Sequence, residues 1–147
     1  MNNGARGFQP SVILSAFQPH MHNRGKAMCM EAIYPDIRAD SARPGPARTE
    51  TINCVSNYQF GWHITYPYAD EVAPVLPAGT IIHVTAWHDN TAANKSNPDP
   101  DAQISWGERT VDEMASSWLS YYYMSDEDFK KEVEARRAKQ PAVTSAR

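Results

Sequence analysis

The sequence predicts an all-β protein: an antiparallel β-sandwich, jelly-roll-like, with a short C-terminal helix. Three observations carry that expectation. Apolar and polar residues alternate over short segments, the period of a half-buried strand. Turn formers separate the segments, among them 11 prolines and 7 glycines, which is how sandwiches and jelly rolls are punctuated. A segment charged in the way a helix favours follows Met124. At 147 residues there is room for one core and no second copy of the fold.

The elements follow in order. Residues 1–9 are expected to be a disordered N-terminus, and the sandwich to span 10–124. PSVILSAFQ at 10–18 reads as a strand leading into His20. Pro19 cannot donate to a ladder, so an edge or a bulge is expected there, and bulges re-aim side chains beside functional sites. KAMCMEAIY at 26–34 alternates as a second strand, and residues 35–50, broken by Pro44-Gly45-Pro46, form a loop. Residues 51–58 return as a third strand, giving a long-looped hairpin. Residues 61–68 alternate Trp62, Ile64, Tyr66 and Tyr68 against polar neighbours, a fourth strand. Pro77-Ala78-Gly79 is a turn, 80–88 is a strand rich in β-branched residues, and 90–101 is a surface loop.

One segment supports two readings. From Thr110, the spacing of Val111, Met114, Ala115, Trp118 and Leu119 fits a helix, with Thr110 and Glu113 as a capping box. Trp118 to Tyr123 is nonetheless aromatic and strand-like. Ser125 and Asp128 then cap a charged helix over 125–139, acidic residues first and basic residues last, as the helix dipole favours. Its large apolar residues are only Phe129 and Val133, so it should dock weakly; 140–147 is expected to be a disordered tail.

Hairpin register also brings two cysteines together. If 26–34 and 51–58 pair about a loop centred near Ala42, Cys29 and Cys54 fall opposite one another. Side chains of directly opposite residues stand ~4.5–5.5 Å apart, close to what a bridge requires. Two buried free thiols are the alternative.

Charge and hydropathy exclude some partners. With 14 basic and 17 acidic residues the net charge is −3, which does not suit nucleic acid. No apolar run approaches the ~20 residues of a membrane span. Val12-Ile13-Leu14 is too short for the apolar region of a signal peptide, and histidines stand where cleavage would fall.

The chemistry-bearing pattern is His20-Met21-His22, followed by Asn23-Arg24-Gly25-Lys26. On a strand, residues i and i+2 share a face, so His20 and His22 can offer two imidazoles to one metal ion while Met21 points away. A cupin-type iron or manganese site wants a glutamate about four residues beyond the second histidine, where Lys26 and Ala27 stand instead. A thioether from elsewhere would complete a soft site suited to Cu(I). Met28, Met30 and Met124 read as packing, and His63, His83 and His88 as structural or surface residues without a chelating spacing.

Four blocks extend the pattern: PHMHNRGK at 19–26, NYQFGWHITYPY at 57–68, LPAGTIIHVTAWHDNTAANKSNPDP at 76–100 and WGERTVDEM at 106–114. Together, from about Phe17 to Tyr123, they resemble the copper type II, ascorbate-dependent monooxygenases, whose members include peptide-amidating and dopamine-hydroxylating enzymes and bacterial relatives. That family carries two coppers on two β-sandwich domains, one held by histidines alone and one by an HxH and a methionine. The resemblance is to the second, methionine-copper domain, shortened at its start. It implies copper ligands His20, His22 and Met114 as the catalytic centre, a turn at Asp112-Glu113 and a strand from about Met114. It further implies dioxygen and an ascorbate-like donor as co-reactants, and hydroxylation of a C–H bond. An all-histidine copper domain would be the N-terminal partner, missing here, so a fragment inactive on its own is expected, or a copper-binding module without turnover. A plain interaction domain with incidental histidines is the remaining alternative. Asp89, Asn90, Asn94 and the NPDP run resemble a family loop, read as a turn scaffold.

The substrate contacts of peptide-amidating members do not carry over. Their arginine two residues before the first histidine is Gln18 here; their asparagine and tyrosine after the methionine are Ser116 and Trp118. Gln18 and Trp118 are candidates for the substrate wall, which suits a small apolar substrate rather than a peptide carboxylate. The family works outside the cytoplasm, so a periplasmic or secreted protein is expected, where the Cys29–Cys54 bridge could form.

Overall fold

Alternating sequence becomes two antiparallel sheets in the computed structural model, which describes residues 1–35 and 48–139. In chain order the elements are β1 (Asn2–Gly7), β2 (Ser11–Met21), β3 (Gly25–Tyr34), β4 (Arg48–Val55), β5 (Tyr66–Pro67), β6 (Val75–Leu76), β7 (Ile81–His88), β8 (Ala115–Met124) and α1 (Asp126–Lys139). One sheet runs β1-β7-β3-β4. In the other, β2 is central: β8 pairs along one edge from Ser11↔Met124 to Met21↔Ala115. On its other edge β6 pairs at Val12–Ile13 and β5 at Ala16–Phe17.

The sheets enclose a core of Val12, Leu14, Phe17 and Met21 from β2, Met28, Met30 and Ala32 from β3, and Ile82 and Ala86 from β7, joined by Phe8, Tyr58 and Leu76. Fully burying a large apolar side chain contributes ~1.5–3 kcal/mol, so this set is the main driving force. Met28 and Met30 pack as the sequence predicts, and Met21 points away from the histidine face into the core.

The inward phase of β2 changes along its length. Val12 and Leu14 are buried at even positions, Phe17 and Met21 at odd ones. The switch is a bulge between Leu14↔Tyr121 and Ala16↔Ser120, with Ser15 as the extra residue. Because a one-residue slip flips every following side chain, this bulge turns His20 and His22 out of the core. Of the edge or bulge expected at Pro19, the structure gives the edge: the bulge is at Ser15, and Pro19 lies in the ladder opposite Ser117 with its other side unpaired. Its missing N–H is harmless, since β5 has already ended at Phe17 on that edge.

Three expectations are corrected. Asn2–Gly7 is not disordered but pairs from Asn2↔Ala86 to Gly7↔Ile81. Main-chain bonds to the open edge of β7, and Phe8 buried in the core, replace the apolar run that the segment lacks. The strand expected at 61–68 shrinks to Tyr66–Pro67, because Trp62 N–H bonds Gln59 carbonyl at 2.9 Å and Ile64 N–H bonds Trp62 carbonyl at 3.0 Å, coiling the chain. The return strand of the hairpin is Arg48–Val55 rather than 51–58. Most of the expected 35–50 loop and the expected 140–147 tail lie outside the described residues.

The hairpin register is as expected. Cys29 and Cys54 are paired across β3 and β4 and form a disulfide. At Pro77-Ala78-Gly79 the turn needs Gly79, whose φ is +86°. The C-terminal helix forms with Ser125 Oγ accepting the Asp128 N–H at 3.1 Å. None of its residues is fully buried; Arg136 moors it by donating to the carbonyls of Ala73 at 2.6 Å and Asp70 at 2.9 Å.

Candidate metal centre

The histidine pair sits where the chain leaves one sheet for the other. β2 ends at Met21 and β3 starts at Gly25, with a tight turn closed by Gly25 N–H to His22 carbonyl at 2.9 Å. A Cβ on Gly25 would stand 2.5 Å from the Met21 Cβ, so the turn tolerates only glycine. Another crossing between sheets, residues 89–114 from β7 to β8, runs beside this turn: Asp89 N–H bonds Arg24 carbonyl at 2.9 Å and Asn23 N–H meets Thr110 carbonyl at 3.5 Å.

The ladder then brings Met114 to the histidines. Met21 pairs with Ala115, and one rung further His22 N–H donates to Met114 carbonyl at 3.4 Å. The ladder itself stops at Met21↔Ala115, so His22 and Met114 meet through this main-chain contact just beyond its end. His20 lies opposite Ser116, and Gln18 opposite Trp118. One face of β2–β8 therefore presents Gln18, His20, Ser116 and Trp118, with the His22–Met114 main-chain contact at its end. The turn expected at Asp112-Glu113 and the strand after it are present, and the helical reading of 110–119 fails.

His20 and His22 stand with ring centroids 5.3 Å apart. The indole of Trp118 stacks on His20 at 5.2 Å with planes only 3° apart, and remains 56% exposed. His22 is only 4% exposed. Its Nδ1 lies 3.2 Å from the Asp112 carbonyl; a carbonyl only accepts, so Nδ1 is the donor there, and in a neutral ring Nε2 is the nitrogen left to coordinate. Metal-bound histidines are commonly held this way. Burial, followed by the nearby His63 and His22, holds the His20 imidazole below its ordinary value of 6.5, which keeps it neutral and able to coordinate.

Arg24 organises the surroundings. It is 1% exposed, and its guanidinium donates to Asn90 Oδ1 at 2.7 Å, to Asp99 carbonyl at 3.2 Å and to Val111 carbonyl. Asn94 donates to Asp89 carbonyl at 2.8 Å and Asn97 to Asn90 Oδ1 at 3.0 Å, so the Asp89–Asp99 loop is the scaffold the sequence predicts. Arg109 forks onto Asp112 at 2.9 and 2.7 Å, and these bonds hold the Asp112 carboxyl below the usual carboxylate range. The same turn supplies the Asp112 carbonyl to His22.

His83 and His88 keep structural roles: His83 Nδ1 is 3.3 Å from Glu31, and His88 Nε2 is 3.4 Å from Met114 carbonyl. His63 does not. Read from the sequence as structural or surface, it stands with its ring 4.9 Å from His20 and 5.2 Å from Phe60. It reaches the site on a coil whose course no local spacing encodes, tied to β2 by Gln18 Nε2 at 3.5 Å from His63 carbonyl. Among the described residues, no three His, Cys, Asp or Glu side chains converge to hold an ion by themselves. No helix among the described residues is long and apolar enough to cross a membrane.

No protein-family profile, curated protein or solved structure matches this chain.

Proposed function

We propose that the chain binds one copper ion through His20, His22 and Met114, and that this centre is the catalytic half of an ascorbate-dependent monooxygenase acting on a small, apolar C–H substrate. The observation that carries the reading is the approach of the His20 and His22 rings, centroids 5.3 Å apart, where the His22 N–H meets the Met114 carbonyl, with the His22 Nδ1 proton committed to the Asp112 carbonyl. The donor set fits the metal: imidazole serves both oxidation states of copper and thioether favours Cu(I).

Bound copper would supply dioxygen activation and one-electron transfer. The chain's own residues do the rest. His22 is oriented by Asp112, and His20 is braced by Trp118. The exposed flank of Trp118, with Gln18 opposite it, gives an uncharged wall for an apolar substrate. Ascorbate would be the donor, and an all-histidine copper domain the partner that delivers the second electron. The Cys29–Cys54 bridge suits a periplasmic or secreted protein.

A specific observation favours the second reading, a copper-binding module without turnover of its own. The chain has five histidines, and with His83 on Glu31 and His88 on Met114 carbonyl, a separate all-histidine centre cannot be built from them.

X-ray absorption on the Cu(I) form tests the site: one sulfur scatterer is expected, absent in Met114→Ile. Sulfur that persists in that variant rejects Met114 as ligand. Oxygen uptake with ascorbate and apolar substrates then separates the readings, since coupled hydroxylated product from the chain alone rejects the silent module.

A further inference from the structure

We propose that His63 is a third imidazole ligand of this centre, joining His20 and His22 on Cu(II), while Met114 serves chiefly Cu(I). The inference rests on the copper reading above and extends it to a residue outside the HxH-plus-methionine set.

The geometry points to His63 in three ways. Its ring centroid is 4.9 Å from that of His20, closer than the 5.3 Å between His20 and His22. It is exposed, and its ring nitrogens make no hydrogen bond among the described residues. By contrast His83 Nδ1 meets Glu31 and His88 Nε2 meets the Met114 carbonyl. Its backbone is nonetheless held, through Gln18 to its carbonyl and through the bonded turns at Trp62 and Ile64. A tethered backbone with an uncommitted ring is what a ligand that swings onto a metal requires. The three imidazoles do not converge without metal, so a rotation of the His63 side chain must accompany binding. With no ring hydrogen bond to break among the described residues, that rotation is opposed by the ring's packing on Phe60 and Tyr58 and by side-chain entropy.

Ligand softness gives the swing a purpose. Cu(II) prefers nitrogen donors in a tetragonal arrangement, and Cu(I) accepts thioether sulfur with fewer ligands. A centre with His20 and His22 fixed, a thioether on one side and a movable imidazole nearby can satisfy each oxidation state in turn.

Electron paramagnetic resonance of the Cu(II) form and competition titrations of both oxidation states test this on the intact chain and on His63→Gln and His63→Ala. Three coupled nitrogens are expected in the native protein and two in either variant, with three restored when free imidazole is added to His63→Ala. Cu(II) affinity should fall by about 10–100-fold, as loss of a metal-supporting group typically causes, while Cu(I) affinity changes less than about threefold, within the spread of a peripheral contact. Copper bound with two coupled nitrogens in the native protein, or a spectrum unchanged in His63→Gln, overturns the proposal and leaves the His20, His22 and Met114 centre standing. A native chain that binds no copper, or binds it equally well in His20→Ala, overturns the centre and this proposal together.

Discussion

The Tyr58 hydroxyl takes both backbone groups of Met21: it accepts from the Met21 N–H at 3.1 Å and donates to the Met21 carbonyl at 2.7 Å. Met21 lies between the two candidate ligands, at a point of β2 where β5 has already ended. A single phenol therefore stands in for a missing strand and keeps the HxH segment extended. Burial raises the Tyr58 pKa, with the Met21 bond opposing, so the hydroxyl stays protonated and able to donate.

Tyr58→Phe should preserve the packing of the ring and leave the Met21 N–H and carbonyl unpaired. A buried polar group without a partner costs ~1–3 kcal/mol, so a loss of about 2 kcal/mol is expected in urea unfolding. An unchanged midpoint would show that water replaces the hydroxyl.

Arg24→Met keeps apolar bulk but strips the donors from Asn90, Asp99 and Val111. We expect a loss of about 2–4 kcal/mol, between that of an unpaired polar group and that of a broken buried ion pair. Hydrogen exchange should rise across 89–113 before the β3–β7 ladder responds. Uniform exchange over both regions would mean that Arg24 supports the whole core instead.

The apo protein should lose stability as pH falls past the ordinary histidine range. His20 is held below 6.5 when folded, so the unfolded chain binds the proton more readily. Its contribution is complete above about 6.5, the unperturbed value, and is lost as pH drops from there through the folded value. His20→Asn should flatten that slope between pH 7.5 and 5, conditions chosen to bracket the histidine range. A slope that is the same in the variant assigns the effect to another group.

Reducing the Cys29–Cys54 disulfide, whose partners are 25 residues apart, should destabilise the fold by about 3 kcal/mol in the chain-entropy account. Under the proposed copper binding, X-ray absorption spectra should not change, because Cys29 points away from the core on β3, between buried Met28 and Met30. Loss of the copper signal on mild reduction with the metal supplied as Cu(I) would contradict this.

Truncation after Met124 should remove the helical circular dichroism and leave the β-sheet signal, since no residue of α1 is fully buried. The tie it removes is Arg136 on the Asp70–Ala73 loop. A collapse of the whole fold would reveal a larger role for Phe129 and Val133.

Much of the scaffold is legible locally. Period-2 alternation marks β2, β3, β7 and the shared face of His20 and His22, because strand geometry depends only on neighbours. Cys29 faces Cys54 because register follows from counting along a hairpin. Gly79 and Ser125 mark their turn and cap through conformations that few other residues supply. Aromatic content misleads at 61–68, where hydrogen-bonded turns outweigh strand propensity and only Tyr66–Pro67 pairs.

By itself, then, the sequence determined which residues alternate, where the chain turns and that two imidazoles share one face, since each depends on backbone geometry over a few residues. Tertiary structure decided the rest. The Ser15 bulge sets whether that face looks inward or outward, and it exists only against β8. The Met114 main chain reaches His22 because two crossings between sheets run side by side, clasped by the buried Arg24. His63 stands beside His20, and Asn2–Gly7 orders on β7, through contacts between segments more than 40 residues apart. Such contacts form only once the core has closed, so no local pattern in the chain records them.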